Sequence, residues 1–592
     1  MTAPQLPRYR RALAQTLGCA AFLSVPLMAQ TDGASPQPIA QVEAHIPGGV
    51  RGADVSAARV VELAESYGLD VAELQAILLR DDDIVVSPEN RLAFVDRGLH
   101  APHTENENSG RTAPPPGVPT SEAFLLHSRP GSEKTIYLDF NGHHSVDNFW
   151  EHDIVFPAYD TDGDDTNFSE GELSDIIAWW RFVSEDFAPF DVNITTQDPG
   201  LDAILRTDGS DTEYGTRCLM TQYTDGFGEG TGGIAFLFAF GLDSDNPAFV
   251  FNKSINAGSM SASHEVGHNL GLFHDGLDDS SYHPGTGSGD TSWGPIMGAP
   301  FSSNLVQWSN GDYSGSTTTE DDLDIIISSP NNLTWLADDH GDTAGTASAM
   351  TPDTSCPAEF SATAEGMLAD RFDLDAHSFV HHGGVVDFEA RPLEPGGNLD
   401  ISMELFDAND VSLATVNPSE DLNALLSIDL APGEYRIVLE GVGKPGEYSD
   451  YSTIGQYTLT AAGDTSGLIA LIGDGLAGTA GLTPDITVIG STCAGDAVSL
   501  QLSNAKANSA AFLLVATAEL GVPFKGGVLT PDITGPSAVL NKLTDGAGAT
   551  NVDTTWPVGL PSGASIYFQY WVTDAGGPVG FSSSQGLSMT QP

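Results

Sequence analysis

The feature that most constrains this chain is a short stretch near its middle, residues 263–275, which reads SHEVGHNLGLFHD. Its first two histidines, His264 and His268, are four residues apart, so on an α-helix they lie on one face, a turn apart. Gly271 is expected to adopt a left-handed conformation that ends the helix and reverses the chain. That reversal would bring His274 back towards the first two histidines. The stretch therefore predicts a helix, a turn and three converging imidazoles.

Three imidazole nitrogens form a ligand set that zinc prefers, and they leave one of its four tetrahedral positions for water. An open position of this kind is typical of a catalytic zinc site and not of a structural one. Glu265 lies about 100° around the helix axis from His264. Its carboxylate is therefore expected to reach a metal-bound water without binding the metal. These residues predict one catalytic zinc ion with Glu265 as the general base.

A second motif lies further along the chain, where residues 293–298 read WGPIMG. Together with the histidine motif, it resembles the metzincin clan of zinc endopeptidases, in which a methionine lies beneath the metal. The resemblance assigns that position to Met297. Asp275, directly after the third histidine, is similar to the aspartate of the adamalysin/reprolysin branch, which supports the local fold. Astacin- and serralysin-type members carry a tyrosine where this chain has Ala299, so we assign no tyrosine as ligand or oxyanion donor.

The run Gly233, Ile234, Ala235 and Phe236 resembles the metzincin edge strand that borders the active-site cleft. An exposed edge strand has unpaired N–H and C=O groups, to which an extended peptide can add as a further strand. The resemblance therefore predicts that peptide substrates bind here through backbone hydrogen bonds.

The charge of the chain limits its partners. It has 22 Lys+Arg against 81 Asp+Glu, a net charge of −59, which argues against nucleic acid and anionic membranes because phosphates would be repelled. No stretch beyond the N-terminus approaches 18 apolar residues, so no membrane insertion is expected. Such acidity is typical of a solvated, salt-tolerant surface, and the alternative is a set of calcium sites. The loop Asp160–Asp165 is a candidate structural calcium site, although its glycine is not where an EF-hand has it.

The N-terminus has the pattern of a secretory signal peptide over residues 1–29. Arg8, Arg10 and Arg11 precede a mostly apolar run that ends in small residues at Ala29. This pattern predicts secretion, with cleavage near Ala29.

Residues 30–125 are predicted to be a propeptide and linker. Helices are indicated at Val55–Tyr67 and Val71–Arg80, followed by a hairpin and a proline-rich stretch. A small lobe on a cleavable tether suits a segment that keeps a protease latent, as in a zymogen; the alternative is an accessory domain. No cysteine lies between residues 30 and 217, so a carboxylate or a histidine would have to block the metal, with His100 and His103 as candidates.

The rest of the chain is predicted to form three domains. Residues 126–340 form the metzincin-like zinc metalloprotease domain, an α/β (α+β) unit with a mixed twisted sheet and the zinc helix. Residues 341–465 form a β-sandwich whose short motifs at 431–435 and 455–458 resemble the pre-peptidase C-terminal domain of secreted bacterial proteases. Residues 466–592 form a second all-β sandwich. Cys356 and Cys493 are candidates for a disulfide.

These features predict a multi-domain, secreted zinc metalloendopeptidase, a hydrolase that acts on extracellular proteins by zinc-activated water with Glu265 as base. The competing hypothesis is an adhesive or carbohydrate-binding extracellular protein with a vestigial zinc domain. The intact motif weighs against that alternative, since a decaying site would be expected to lose Glu265 first. The C-terminal β domains are candidates for binding surface polysaccharide or matrix.

Overall fold

The computed structural model describes residues 46–591, apart from 101–116, 151–152, 224–229, 353–358, 382, 432, 465–467 and 491. The predicted signal peptide and most of the proline-rich linker lie outside the described residues. None of the described helices is long and apolar enough to cross a membrane.

Most of the regular secondary structure of the described residues is β-strand. The α-helices of the described residues are α1 (Ala57–Tyr67), α2 (Val71–Arg80), α3 (Glu170–Asp186), α4 (Ile255–Leu270) and α5 (Asp322–Ile327). The strands before residue 340 are β1 (Val50–Arg51), β2 (Ile84–Val86), β3 (Leu92–Asp96), β4 (Lys134–Asp139), β5 (His143–Ser145), β6 (Ile154–Phe156), β7 (Asn193–Thr195), β8 (Tyr214–Met220), β9 (Gly233–Phe236), β10 (Ala248–Val250), β11 (Trp293–Pro295) and β12 (Leu305–Gln307).

Beyond residue 340 the described residues contain strands and no α-helix. These are β13 (Ser348–Ala349), β14 (Thr351–Pro352), β15 (Glu359–Leu368), β16 (Leu374–His381), β17 (Gly384–Pro392), β18 (Ile401–Asp407), β19 (Ser412–Val416), β20 (Ala424–Leu430), β21 (Gly433–Gly441), β22 (Gly455–Asp464), β23 (Ile469–Ile472), β24 (Asp485–Gly490), β25 (Ala497–Ser503), β26 (Ala510–Ala516), β27 (Glu519–Phe524), β28 (Gly527–Pro531), β29 (Ser537–Leu543), β30 (Thr550–Thr555), β31 (Ser565–Thr573), β32 (Phe581–Ser583) and β33 (Gly586–Thr590).

The first sheet has eight strands in the order β1-β2-β3-β9-β10-β8-β4-β7. Strands β10, β8, β4 and β7 are parallel, and β1, β2, β3 and β9 are joined in antiparallel pairs. The sheet is therefore mixed. Strands from both sides of the predicted boundary at residue 125 form one continuous sheet.

We call residues 46–100 the N-terminal lobe. Its two predicted helices and its hairpin are confirmed as α1, α2 and the pair β2–β3. Helix α1 ends at Gly68, which has a φ of 71°, and Asp70 caps α2 by accepting the backbone N–H groups of Ala72 and Glu73. The apolar side of this lobe packs against Leu237 and Phe273, which lie outside it. The lobe is thus attached by both a shared sheet and a shared core.

Helices α3 and α4 contribute to the main apolar core of the region before residue 340. Helix α3 begins with a capping box, in which Ser169 and Glu172 each accept a backbone N–H of the other. Trp179 of α3 lies against α4, where a Cβ on Gly258 would come within 1.9 Å of its ring. Gly258 therefore allows the two helices to approach closely.

The β-rich regions beyond residue 340 each bury a core between two sheets. Between residues 341 and 464, two five-stranded sheets, β13-β16-β21-β18-β19 and β14-β15-β22-β17-β20, share one apolar cluster. Between 468 and 591, a six-stranded and a three-stranded sheet share another. Cys218 is free and buried; Cys493 is disulfide-bonded, and Cys356 lies outside the described residues.

The end of α3 connects the region before residue 340 to the β-rich region between residues 341 and 464. Glu185 accepts hydrogen bonds from the backbone N–H of Gln456 at 2.8 Å and from its side-chain amide at 2.9 Å. The next residue, Asp186, accepts bonds from Ser263 Oγ on α4 at 2.5 Å and from Asn398 Nδ2 at 2.9 Å. The helix that carries two of the candidate metal ligands is thereby tied to the following β-rich region.

Replacing Glu185 with glutamine should reduce the pH dependence of stability. Burial raises the pKa of Glu185 to about 7, against 4.5 for an ordinary glutamate, and outweighs the lowering effects of Arg181 and Gln456. Because the folded-state pKa is raised, the associated stability is complete below about pH 4.5 and is lost as the pH rises through 7. We expect the Glu185→Gln variant to gain on the order of 1–3 kcal/mol over wild type at pH 8 and little at pH 4.

The measurement is the thermal unfolding midpoint of both proteins across this pH range. Glu213→Gln, which changes an exposed carboxylate on a loop, is the control and should follow wild type. Equal midpoint differences at pH 4 and pH 8 would contradict the expectation.

Candidate metal centre

Helix α4 positions the histidine motif. Ser254 caps its N-terminus by accepting the N–H of Ala257, and the helix ends at Gly271, which has a φ of 109°. A Cβ at Gly271 would also lie 2.1 Å from the ring of Phe238, so only glycine fits this turn. The left-handed turn predicted from the sequence is confirmed, and it returns the chain towards the helix.

The three histidine rings are held by hydrogen bonds at the nitrogen that faces away from the centre. Nδ1 of His264 donates to the carbonyl of Ile296 at 2.8 Å, and Nδ1 of His268 donates to the carbonyl of Leu272 at 2.7 Å. Nδ1 of His274 lies 2.6 Å from a carboxylate oxygen of Asp81. With the hydrogen on Nδ1, the neutral form of each ring presents a lone pair at Nε2.

The Nε2 atoms converge with the carboxylate of Asp96. Nε2 of His268 lies 3.2 Å from Nε2 of His274. The Asp96 oxygens lie 3.3, 3.2 and 3.3 Å from Nε2 of His264, His268 and His274 respectively. Zinc bonds of 2.0–2.1 Å in a tetrahedron place neighbouring ligand atoms about 3.3 Å apart. The three imidazoles and one carboxylate therefore have the spacing of a set that can hold one metal ion.

The chemistry of these atoms also fits a cation. All four side chains are buried, and Nε2 of His264 has no hydrogen-bond partner in the described structure. Two nitrogen lone pairs that face each other, as in His268 and His274, gain from a shared positive charge. Burial by itself would raise the pKa of Asp96, but the neighbouring His274 and His268 outweigh it and lower that pKa well below the ordinary value.

Asp96 is the site residue that the sequence interpretation missed. It is the last residue of β3, where it pairs with Gly233 of β9, and its carbonyl accepts the N–H of Gly232 at 2.8 Å. Of the two histidines named as candidates for blocking the metal, His100 is exposed and His103 lies outside the described residues. The residue of the N-terminal lobe that reaches the three histidines is Asp96, which strand pairing places there, and its neighbours in sequence gave no signal for it.

The predicted edge strand is not a free edge in this chain. Gly233, Ile234, Ala235 and Phe236 form β9, which pairs with β10 on one side and antiparallel with β3 of the N-terminal lobe on the other. The prediction of an exposed edge is therefore corrected for the full chain, because β3 takes up the N–H and C=O groups on that side. A role in binding substrate stays a prediction.

Glu265 lies next to this centre. Its side chain is fully buried and neither of its carboxylate oxygens has a hydrogen-bond partner in the described structure. A Cβ on Gly233 would lie 2.0 Å from Oε1 of Glu265, so a glycine is needed beside the carboxylate. Burial, followed by the charge of Asp96, raises the pKa of Glu265 well above the ordinary value.

The WGPIMG motif lies beneath the helix. Met297 is fully buried, and its sulfur would lie 2.5 Å from a Cβ placed on Gly267, which is between the first two histidines. The carbonyl of Met297 accepts the N–H of Asp275 at 2.9 Å. Asp275 itself is buried, and burial raises its pKa to about 7. These contacts fix the turn that carries His274 against the base of the centre.

Tyr282 is a second residue that the sequence interpretation did not assign. Its ring lies 4.3 Å from the ring of His274. Its hydroxyl donates to Asp83 of the N-terminal lobe at 2.6 Å and lies 3.3 Å from Asp96. A phenol therefore borders the centre from the loop before residue 293, a position that no motif indicated.

The loop proposed as a calcium site brings several carboxylate side chains close together. Carboxylate oxygens of Asp160, Asp162 and Glu172 lie within 4.8 Å of one another. Asp160 accepts the N–H groups of Asp162 and Gly163, and Glu172 accepts those of Thr161 and Ser169. A second acidic group comprises Asp338, Asp373 and Asp375. Calcium binding at Asp160–Asp165 stays a prediction, since internal hydrogen bonds account for the shape of the loop.

Comparison with known proteins adds little. No family model matches this sequence, and no curated protein matches it. Among solved structures, the pre-peptidase C-terminal domain of a collagenase from Bacillus anthracis aligns with 21% of this chain and 98% of its own length, at 13% identity and a TM-score of 0.15. A putative beta-galactosidase from Bacteroides fragilis aligns with 38% of this chain and 32% of its own, at 10% identity and a TM-score of 0.11. Similarities this weak carry no argument about fold or function.

Proposed function

We propose that this chain is a secreted zinc-dependent endopeptidase of metzincin type, made in a latent form. The observation that carries the proposal is the convergence of Nε2 of His264, His268 and His274 beside the buried carboxylate of Glu265. Three neutral nitrogen ligands with an adjacent unpaired carboxylate are what hydrolysis by an activated water requires.

The metal and the residues around it would have different roles in the reaction. When bound, zinc would lower the pKa of a water molecule to about 7 and polarise the scissile carbonyl. Glu265 would accept the proton of that water on a carboxylate oxygen and transfer it to the leaving amine. The hydrogen bonds at Nδ1 keep the three rings in one tautomer and one orientation. The buried side chain of Met297 would exclude water from beneath the rings.

Substrate would bind along β9. Its backbone groups on the side of β3 form regular antiparallel pairs, from Ala93↔Phe236 to Asp96↔Gly233. An extended peptide that replaced β3 would make the same kind of hydrogen bonds, and its scissile bond would lie near the position of the Asp96 carboxylate. This supports a peptide as the substrate class.

The N-terminal lobe is accordingly the inhibitor in this proposal. Its strand β3 covers β9, and its Asp96 occupies the position at which water or substrate would approach the three histidines. Activity requires that this strand be displaced, which a cut between the lobe and residue 117 would permit.

The test uses the zinc-loaded full chain, before and after limited proteolysis, with a quenched fluorescent casein as substrate. We expect hydrolysis to appear after proteolysis, to stop on addition of a zinc chelator and to return with added zinc. Cleavage that continues in the chelator would contradict the proposal. Zinc binding without cleavage under any condition would favour the alternative, an adhesive or carbohydrate-binding protein with a vestigial zinc domain.

A further inference from the structure

We propose that the N-terminal lobe is a part of the metal centre, with Asp96 as a direct ligand and Asp81 as the residue that orients His274. Metal and lobe would then increase each other's affinity. This inference rests on the proposed zinc centre and adds a role for Asp81 in the latent form. It also implies that zinc binds more tightly before the lobe is removed than afterwards.

The support for the three histidine rings is unequal. Nδ1 of His264 and of His268 is held by backbone carbonyls of Ile296 and Leu272, which lie outside the lobe. Nδ1 of His274 is held by Asp81, 193 residues earlier in the chain. The lobe therefore supplies the acceptor that the described structure gives to Nδ1 of the third ligand.

Asp81 is fixed for this purpose. It follows the last residue of α2, its N–H donates to Ile77, and its other carboxylate oxygen accepts the N–H of Asp83 at 3.0 Å. Its side chain is buried, and its ion-pair partner in the described structure is His274. A carboxylate that accepts from a ligating histidine fixes the ring and makes its other nitrogen a stronger donor to the metal. Asp81 is therefore a positioning residue.

The lobe also restrains the rings by packing. Phe94 of β3 stacks on His268 with a centroid distance of 3.8 Å and an interplanar angle of 7°. It meets His274 edge-on at 4.8 Å. Two of the three imidazoles are thus held by a residue of the lobe in addition to the bond from Asp81.

The charges explain why the coupling should run in both directions. Asp96 and Asp81 bring two buried carboxylates into a centre that already contains Glu265. A divalent cation offsets this negative charge, so removing the metal weakens the electrostatic attraction between the lobe and the centre. Thermodynamic linkage requires that the factor by which the lobe strengthens zinc binding equal the factor by which zinc strengthens lobe binding.

The experiment measures the zinc dissociation constant of the full chain by competition with a chromophoric chelator. The variants are Asp81→Ala, Asp81→Asn and Asp96→Asn, and the control is Asp82→Asn, an exposed neighbour in the same turn. We expect Asp81→Ala and Asp96→Asn to weaken zinc binding by about 10- to 100-fold. Asp81→Asn, which keeps an oxygen acceptor, should lose less than Asp81→Ala, and the control should match wild type within about twofold.

Two further readouts separate this role from a general effect on folding. The thermal midpoint of the zinc-free protein should be similar in Asp81→Asn and wild type. Amide exchange over residues 92–96 should accelerate when zinc is removed from wild type, and less so in Asp81→Ala. Wild-type zinc affinity in both Asp81 variants would overturn the inference and leave the proposed function intact. Failure of the wild-type chain to bind stoichiometric zinc would overturn the proposed function itself.

Discussion

Replacing Asp96 with alanine should raise peptide hydrolysis by the zinc-loaded full chain by at least about tenfold. The substitution removes the carboxylate that lies 3.2–3.3 Å from all three Nε2 atoms. If the contact between Asp96 and the centre contributes about 1.4 kcal/mol or more, its loss raises the ratio of uncovered to covered sites tenfold or more. Strand β3 keeps its pairing with β9, so we expect the variant to remain below the activity of proteolysed wild type.

The measurement is the initial rate on a fluorogenic peptide, with zinc content determined in the same sample. Asp82→Ala, in the same lobe but exposed, should remain as latent as wild type. An Asp96→Ala chain that holds zinc, is cut normally by an activating protease and yet shows the same rate before that cut as wild type would contradict the role given to Asp96.

Replacing Glu265 with glutamine in the Asp96→Ala chain should lower kcat by roughly 100- to 10,000-fold while zinc remains bound. Glutamine has the shape of glutamate and fits beside Gly233, but its amide cannot accept a proton from water. The metal ligands are not altered, because the three Nε2 atoms and their Nδ1 hydrogen bonds involve other residues. Loss of turnover with unchanged zinc therefore isolates the proton transfer.

The matched control is Glu213→Gln in the same background, which changes an exposed carboxylate away from the histidines. Its kcat should equal that of the parent. If the Glu265→Gln chain kept a kcat within tenfold of the parent, another residue would have to be the base.

The part of the centre that comes from residues 264–274 could be predicted from the sequence, because its geometry depends on residues close together in the chain. Four-residue spacing places His264 and His268 on one helix face, and the glycine at position 271 ends that helix in the left-handed conformation found in the structure. The capping box of α3 and the hairpin of the N-terminal lobe were predictable for the same reason. Each depends on residues a few positions apart.

The non-local part could not be predicted in this way. Asp96 is 172 residues from His268 and Asp81 is 193 residues from His274, and strand pairing and packing bring them together. Nothing in the pattern of β9 shows that β3 will cover it, because an alternating strand can be an edge or an interior strand. Tyr282 lies in a loop without regular spacing. A run of aspartates at 81–83 before the hairpin was the nearest available signal.

In the β-rich regions beyond residue 340, too, the presence of strands could be predicted from the sequence, whereas their pairing could not. The second all-β region expected from the sequence contains β31, whose residues are rich in large apolar side chains. Of the β31 neighbours β26 and β33, β26 is distant in sequence, and strand order in such sheets follows from packing that a single sequence pattern does not contain. The candidate partners of these regions, polysaccharide or matrix, stay predictions.

The most direct measurement is the zinc content of the purified full chain together with X-ray absorption at the zinc edge. We expect one zinc per chain, with three imidazole nitrogens and one oxygen at about 2.0–2.1 Å and no sulfur. The oxygen should come from Asp96 in wild type. A chain that retains no stoichiometric zinc, or a first shell that contains sulfur or fewer than three imidazoles, would contradict the assignment of His264, His268 and His274 as its ligands.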